Sequence, residues 1–168
     1  SNTAATFANK NVETGKTVSV SGINVTGTDA GNYTFNTTAS TTANITAKAL
    51  TLSGVTAANK VYDGTTTASI SGGTLNGIVG SETVNFSLGS ATFANKQVDT
   101  GKAVTATGSS LSGTDAGNYS LTEPAGLTAN ITARSLTVSA TGSHKVYDGT
   151  TTASVSLSDN RVSGDSLS

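Results

Sequence analysis

Few side chains in this chain of 168 residues could do chemistry, and most of those that could occur twice. Residues 60–69, Lys-Val-Tyr-Asp-Gly-Thr-Thr-Thr-Ala-Ser, return unchanged at 145–154. The Tyr-Asp-Gly core places a hydroxyl and a carboxylate beside a glycine that favours a turn. We predict a tight turn in each copy, with the Tyr packed over it and its hydroxyl bonded to nearby backbone. The alternative is an exposed aromatic ring that stacks on a sugar.

A second repeated motif, Gly-Thr-Asp-Ala-Gly-Asn-Tyr, stands at 27–33 and again at 113–119. Here the Asp is predicted to accept backbone N–H groups, and Gly31 and Gly117 to be left-handed residues before a strand that begins at the Tyr. We assign structural turn roles to Tyr62, Asp63, Gly64, Tyr147, Asp148, Gly149, Asp29, Asn32, Tyr33, Asp115, Asn118 and Tyr119.

Metal and catalytic chemistry find little support in the residue types. The repeated Asp residues could be calcium ligands, but there is no Asp-x-Asp cluster and only 10 acidic residues in all. No cofactor is therefore expected, and calcium is not indicated. The only His is His144, and the chain has no Cys, which excludes a thiolate zinc site and leaves no partners for a catalytic triad. We do not expect an enzyme.

Two lysines carry one further hypothesis. Lys16 and Lys102 each have Asn and acidic residues nearby in sequence. Such a lysine, if buried beside an Asn and an acid, could form an isopeptide crosslink, and the mass of the chain would then fall by one ammonia per bond. Sequence alone does not show whether either lysine is buried.

Composition excludes several classes of partner. The formal net charge is −1 and only 11% of residues are charged, so neither nucleic acid nor an anionic membrane is an expected partner. No apolar run approaches the ~20 residues that a membrane helix needs. No signal peptide is recognisable, and the lack of Cys rules out a disulfide framework.

Hydrophobic alternation predicts short antiparallel strands and almost no helix. Period-2 patterns occur at Val18 and Val20, at Tyr33 and Phe35, at Val84, Phe86 and Leu88, at Val104 and Ala106, and at Tyr119 and Leu121. Asn76-Gly77 is predicted to turn a two-residue hairpin. Thr14-Gly15 and Thr100-Gly101 are expected to connect short segments.

The motifs repeat with a period of about 86 residues, since 5–10 returns at 91–96 and 42–47 at 128–133. This period is too long for a solenoid and suits tandem, small, sandwich-like (Ig-like) all-β domains. We predict the C-terminal part of one repeat at 1–47, a complete repeat at 48–133 and the N-terminal part of the next at 134–168. Extended joints at Lys48 and Arg134 would make the array stiff.

Three motifs carry a family likeness: Val-Tyr-Asp-Gly-Thr at 61–65, Thr-Gly-Thr-Asp-Ala-Gly-Asn-Tyr at 26–33, and Ala-Asn-Ile-Thr-Ala at 43–47. Together they resemble the YDG repeats of large bacterial exoproteins related to filamentous haemagglutinin adhesins. The resemblance implies a protein secreted to the Gram-negative outer surface, often by two-partner secretion, with tandem β-domains that form a stalk. It implies no enzyme and supplies no binding residue.

The expected function is therefore structural: stalk repeats of a secreted adhesin that extend and stiffen a surface fibre for attachment or biofilm cohesion. The alternative is a module that binds a glycan or a cell directly. The expected partners are neighbouring repeats of the same chain, head-to-tail copies that complete each other's partial repeats, and a host or matrix ligand of unknown identity.

Overall fold

The computed structural model describes all residues of the chain, which is almost entirely strand and irregular structure. The strands are β1 (Ala4–Phe7), β2 (Glu13–Ser21), β3 (Thr38–Ile45), β4 (Lys48–Ala57), β5 (Lys60–Val61), β6 (Thr67–Ala68), β7 (Ile70–Asn76), β8 (Asn85–Ser87), β9 (Ser90–Phe93), β10 (Asp99–Thr107), β11 (Ser110–Ser112), β12 (Tyr119–Thr122), β13 (Leu127–Thr132), β14 (Val138–Gly142) and β15 (Val155–Asp159). Two short 3-10 helices, Ala30–Asn32 and Ala116–Asn118, are the only helices. Neither is long and apolar enough to cross a membrane. The prediction of an all-β chain is confirmed.

The chain divides into two compact units. Unit 1 consists of Ser1–Ser53, Leu75–Ser87 and Ser109–Glu123, and unit 2 of Gly54–Thr74, Leu88–Gly108 and Pro124–Ser168. Each unit therefore takes residues from both sides of a predicted repeat boundary. The boundaries at 47/48 and 133/134 remain a prediction.

Unit 1 contains the antiparallel sheet β1-β2-β3, the pair β11-β8, and β12 lying parallel to the first half of β4. Its core is Leu50, Val84 and Tyr119, with Leu111 and Leu121 packed against them. Val84 and Phe86 point inward while their neighbours are exposed, which confirms the predicted alternation there.

Unit 2 contains the sheet β5-β13-β10-β9-β6 and the hairpin pair β14-β15. The first sheet is antiparallel at its centre, and β5 joins its edge parallel to β13. Its core residues are Ala91, Phe93, Val104, Ala129 and Ile131. The predicted inward face of β10 is confirmed, since Val104 and Ala106 are buried between exposed neighbours.

Four predictions about the backbone are wrong, two of them about chain connections. Gly15 and Gly101 do not connect segments; each lies inside a long strand, β2 or β10, where the register shifts at a bulge. Both have positive φ, and their N–H groups donate to Asn44 Oδ1 and Asn130 Oδ1, each at 2.8 Å. The turn residue therefore marks a bulge that keeps the strand continuous.

The predicted hairpin at Asn76-Gly77 is also absent. Only Gly77 has positive φ, whereas a two-residue type I′ turn needs both residues there, and 77–79 are not in a strand. Asn76 instead donates its side-chain amide to Ser53 Oγ at 2.9 Å.

The remaining two corrections concern the Gly-Thr-Asp-Ala-Gly-Asn-Tyr motif. Gly31 and Gly117 lie in the 3-10 helices and are not left-handed; the positive φ belongs to Gly27 and Gly113. No strand forms at Tyr33 and Phe35, although the same motif does lead into β12 at Tyr119.

Candidate functional site

Unit 1 contains a compact polar cluster around Tyr119. The Tyr119 hydroxyl donates to Glu82 Oε2 at 2.5 Å and accepts the N–H of Val79 at 3.0 Å. Lys10 Nζ forms an ion pair with Glu82 Oε1 and lies 3.6 Å from Asp115 Oδ1. A Lys, two carboxylates and a buried Tyr thus share one network.

The loop before β12 brings these groups together. Gly113 adopts φ +114, and a Cβ there would lie 2.4 Å from the carbonyl oxygen of Thr83, so only glycine allows this close approach. Asp115 Oδ2 then accepts the N–H of Thr83 at 2.9 Å. The 3-10 helix follows, and Tyr119 resumes an extended backbone that points its ring into the core.

The charges in this cluster compensate one another. The hydrogen bond from Lys10, followed by that from Tyr119, lowers the pKa of Glu82. The bond to Glu82 in turn raises the pKa of the Tyr119 hydroxyl and that of Lys10. The pKa of Asp115 is lowered chiefly by the backbone N–H of Thr83. Each group is held in its ordinary charge state, as in a structural ion-pair network.

On the predicted division, the cluster joins two repeats. Lys10 then belongs to the first repeat (1–47), whereas Glu82, Asp115 and Tyr119 belong to the second (48–133). A further link lies beside it, where the N–H of Val12 donates to Asn118 Oδ1 at 2.9 Å. These bonds join segments of unit 1 that lie far apart in sequence.

Unit 2 contains a corresponding link, which on the predicted division joins the second repeat to the third (134–168). Lys96, the counterpart of Lys10, lies 3.3 Å from Asp165 Oδ1. The Tyr62 hydroxyl donates to the same oxygen at 2.9 Å, and Lys96 Nζ stands 6.0 Å from the centre of the Tyr62 ring. The pKa of Lys96 is raised, first by Tyr62 and then by Asp165. The Tyr62 hydroxyl was predicted to bond to nearby backbone; it bonds instead to the carboxylate of Asp165.

The Tyr-Asp-Gly stretch forms a bend closed by its own aspartate. Asp63 Oδ1 accepts the N–H and the hydroxyl of Thr65, both at 2.9 Å, and Lys60 Nζ at 2.8 Å. Gly64 has φ +80. These bonds, that from Lys60 above all, lower the pKa of Asp63 to about 2. The second Tyr-Asp-Gly stretch, with Asp148 and Gly149, has the same bonds to Lys145 and Thr150.

Lys60 fastens this bend to the sheet of unit 2. Its ammonium donates to the carbonyl oxygens of Thr65 at 2.9 Å and Thr67 at 3.0 Å, and it lies 5.7 Å from the centre of the Phe93 ring. The Lys60 ammonium therefore holds the bend against the Phe93 ring of the core through a cation–π contact.

The two lysines of the crosslink hypothesis are the only buried charged residues. Lys16 Nζ contacts Asn9 Oδ1 at 2.5 Å, the Asn11 carbonyl oxygen at 2.6 Å and Glu13 Oε2 at 3.2 Å. Lys102 Nζ contacts Asn95 Oδ1 at 2.5 Å. Burial and a neighbouring Asn are thus present, and for Lys16 three acceptors match the three protons of an ammonium ion.

The other sites predicted from the sequence lie apart from these clusters. Asp29, Asn32 and Tyr33 are exposed, and Asp29 makes no side-chain cap to its 3-10 helix. Tyr147 is exposed too, so the predicted packing of this ring over its turn is wrong. His144 is exposed as well. No three acidic or His side chains are grouped so that they could hold a metal ion.

Sequence reasoning missed Lys10, Glu82, Lys96 and Asp165. The two lysines share a visible signal, because each closes the repeated segment Ala-Thr-Phe-Ala-Asn-Lys. Glu82 and Asp165 have a weaker signal, since each follows a Val, a Gly and a Ser, in the order Val-Gly-Ser or Val-Ser-Gly. The acidic residues meet their partners only through the fold.

The family comparison matches the YDG domain at residues 1–43 and 46–126, which is most of the chain. No curated protein and no solved structure matches it. The two matched stretches contain both copies of the Gly-Thr-Asp-Ala-Gly-Asn-Tyr motif and the first Tyr-Asp-Gly bend. The chain belongs to the YDG domain family.

Proposed function

We propose that these repeats are structural: they form the stalk of a secreted bacterial adhesin, and they extend and stiffen a surface fibre for attachment or biofilm cohesion. The observation that carries the proposal is that each folded unit combines segments from both sides of a predicted repeat boundary. On the predicted division, Lys10 of one repeat pairs with Glu82 of the next, and Lys96 pairs with Asp165 in the same way.

This arrangement suits a load-bearing function. Force applied along the chain reaches a unit whose bonds come from two successive copies, so one copy cannot separate without disrupting its neighbour. Domains joined only by a flexible linker would move independently instead. We infer that the array resists bending as well as extension.

The proposal includes the finer architecture that the sequence predicts. In it the repeats are sandwich-like (Ig-like) domains of about 86 residues, 48–133 is one complete repeat, and the joints at Lys48 and Arg134 are short and extended. The interleaved units are compatible with this division, because a sequence repeat and a folded unit need not begin at the same residue.

The setting in the proposal follows from the resemblance to large exoproteins. The protein would be exported by two-partner secretion to the Gram-negative outer surface, where its partners are neighbouring repeats and a host or matrix ligand. The proposal requires no enzyme activity, cofactor, nucleic acid or insertion into a membrane.

Single-molecule pulling between the two ends of the chain tests the load-bearing function. We expect discrete unfolding events, and lower unfolding forces in the double variant Lys10→Met, Glu82→Gln, which removes a link between copies. Lys145→Met is the matched control, because Lys145 pairs with Asp148 within one copy. Extension without discrete events, or equal unfolding forces in all three proteins, would refute the proposal.

Direct glycan or cell binding is the second candidate, and the exposed rings of Tyr33 and Tyr147 favour it. Exposed aromatic rings can stack on the apolar face of a sugar. A glycan array tests this candidate: we expect retention of the chain on at least one sugar and loss of retention in Tyr33→Ala or Tyr147→Ala. Retention that neither substitution changes would argue against these rings as the binding site.

A further inference from the structure

The first step of the inference concerns how unit 1 covers Leu50. Strand β12 lies parallel to β4, with Tyr119 opposite Lys48 and Leu121 opposite Leu50. Leu50 is 0% exposed and Tyr119 is 8% exposed. The short segment 119–122 is therefore the cover of this part of the core.

Unit 2 contains the corresponding site, but no strand covers it. Leu136, the counterpart of Leu50, is 49% exposed, and no strand is assigned at 133–137. A cavity of about 290 Å³ opens here, lined by Val98, Leu136, Val162 and Leu167 among others. Three of these apolar residues, Val98, Leu136 and Leu167, are exposed.

Residues 33–36 of the first repeat correspond to the covering segment 119–122, and they have no partner strand. Tyr33 has φ −126 and ψ 144, close to the −131 and 155 of Tyr119. Yet Tyr33 is 71% exposed and Phe35 is exposed as well. The segment already has the extended backbone and the apolar side chains that the Leu136 site lacks.

A second sheet and a second segment are related in the same way: the sheet lacks flanking strands, and the segment that could flank it is exposed. Sheet β5-β13-β10-β9-β6 buries Phe93 to 3% exposure because residues 60–68 flank it on both edges. Its counterpart β1-β2-β3 has no flanking strands, and Phe7 is 39% exposed. Residues 145–154, identical to 60–69, already form their bend, but Val146 and Tyr147 are exposed.

We propose that a second molecule of this chain docks here. Residues 33–36 of the second molecule add a parallel strand beside residues 134–137 of the first molecule. Residues 145–154 of the first molecule flank the sheet β1-β2-β3 of the second molecule. The register follows from the bonded pairs within the chain: Phe35 opposite Leu136, and Lys145 opposite Ile45. Added strands gain main-chain hydrogen bonds at the open edges, and the apolar side chains supply the specificity.

The two surfaces of this contact are different, so the contact is heterologous and repeats from copy to copy into an open filament. The inference rests on register and exposure and not on the proposed load-bearing function. A failure of self-association would leave the pulling experiment unaffected, and a failure there would leave this contact untouched.

Sedimentation velocity of the intact chain over a wide concentration range tests the proposal. We expect a concentration-dependent series of oligomers in the unmodified chain. Leu136→Lys blocks one surface and Phe35→Lys blocks the other, and each variant alone should remain a monomer. Leu157→Lys changes an exposed apolar residue away from both surfaces and should associate like the unmodified chain.

The decisive sample is an equimolar mixture of Leu136→Lys and Phe35→Lys. Each retains one intact surface, so the mixture should form dimers and nothing larger. Circular dichroism verifies that both variants keep their strand content, which is expected because both residues are exposed. A monomeric unmodified chain, variants that still associate, or a mixture without dimers would each overturn the proposal.

Discussion

Phe7 and Phe93 stand in the same six-residue segment, Ala-Thr-Phe-Ala-Asn-Lys, and on corresponding strands, yet only Phe93 is buried. Leu50 and Leu136 differ in the same way. In both pairs the local sequence is alike, and the difference lies in a segment that covers one residue and not the other. Burial in this repeat is therefore supplied by a neighbouring segment of another copy or of a distant part of the same copy.

The largest expected difference separates Phe93→Ala from Phe7→Ala. Removing a buried Phe leaves a cavity and costs about 3–5 kcal/mol of unfolding free energy, whereas the exposed ring should cost less than about 1 kcal/mol. Urea unfolding followed by circular dichroism measures both. Equal losses would mean that Phe7 is covered in solution, as self-association predicts, so the measurement belongs at a concentration where the chain is monomeric.

Leu50→Ala and Leu136→Ala repeat the comparison in the other position. We expect a loss of about 2–5 kcal/mol for Leu50 and a small effect for Leu136, since only the former lies beneath β12. The same urea titration gives both values. A large loss for Leu136→Ala in the monomer would contradict the exposed site described for unit 2.

The two buried lysines allow a subtler comparison. Asn95→Ala removes the acceptor of Lys102 and should cost about 1.5–3 kcal/mol, the usual range for a hydrogen bond to a charged group. Asn9→Ala should cost less, because Lys16 keeps the Asn11 carbonyl and Glu13. Intact mass adds a check: an ammonium held by hydrogen bonds predicts the full sequence mass, and a deficit of one ammonia would reveal the crosslink instead.

The smallest effects should come from titration of the Tyr119 cluster. A raised Tyr119 pKa means that its stabilisation is present below the unfolded value, about 10, and is lost as pH rises through the folded value. A lowered Glu82 pKa means stabilisation above about 4.3, lost as pH falls through the folded value.

Glu82→Gln tests this assignment, because it replaces the carboxylate whose hydrogen bond and charge raise the Tyr119 pKa. Ultraviolet titration of tyrosinate should show one tyrosine ionising at lower pH than in the unmodified chain. Tyr119→Phe identifies which part of the curve belongs to this residue. A Tyr119 titration that Glu82→Gln leaves unchanged would place the cause of the shift elsewhere.

The sequence predicted what depends on local alternation and repetition. Val104 and Ala106 alternate as expected because both lie on the buried face of β10, and Val84 and Phe86 alternate in the same way at the start of β8. The strand at Tyr33 was wrong because a strand also needs a partner, and that partner is beside Tyr119 only. Gly15 shows a different limit: a positive φ serves a turn or a bulge equally well. The Lys10–Glu82 link joins residues far apart in sequence, which no local pattern encodes.

The Asp63 bend has a consequence for how the chain folds. Lys60 and Thr65 donate to Asp63, and Lys60 also donates to the carbonyl oxygen of Thr67, so these bonds span only a few residues. The stretch at Asp148 has the same bonds from Lys145 and Thr150 to its Asp, although its Tyr147 ring lies in solvent. Closing so small a loop takes about 10–100 ns, far less than pairing distant strands. Each of the two Tyr-Asp-Gly bends is therefore expected to close before a distant strand packs against it.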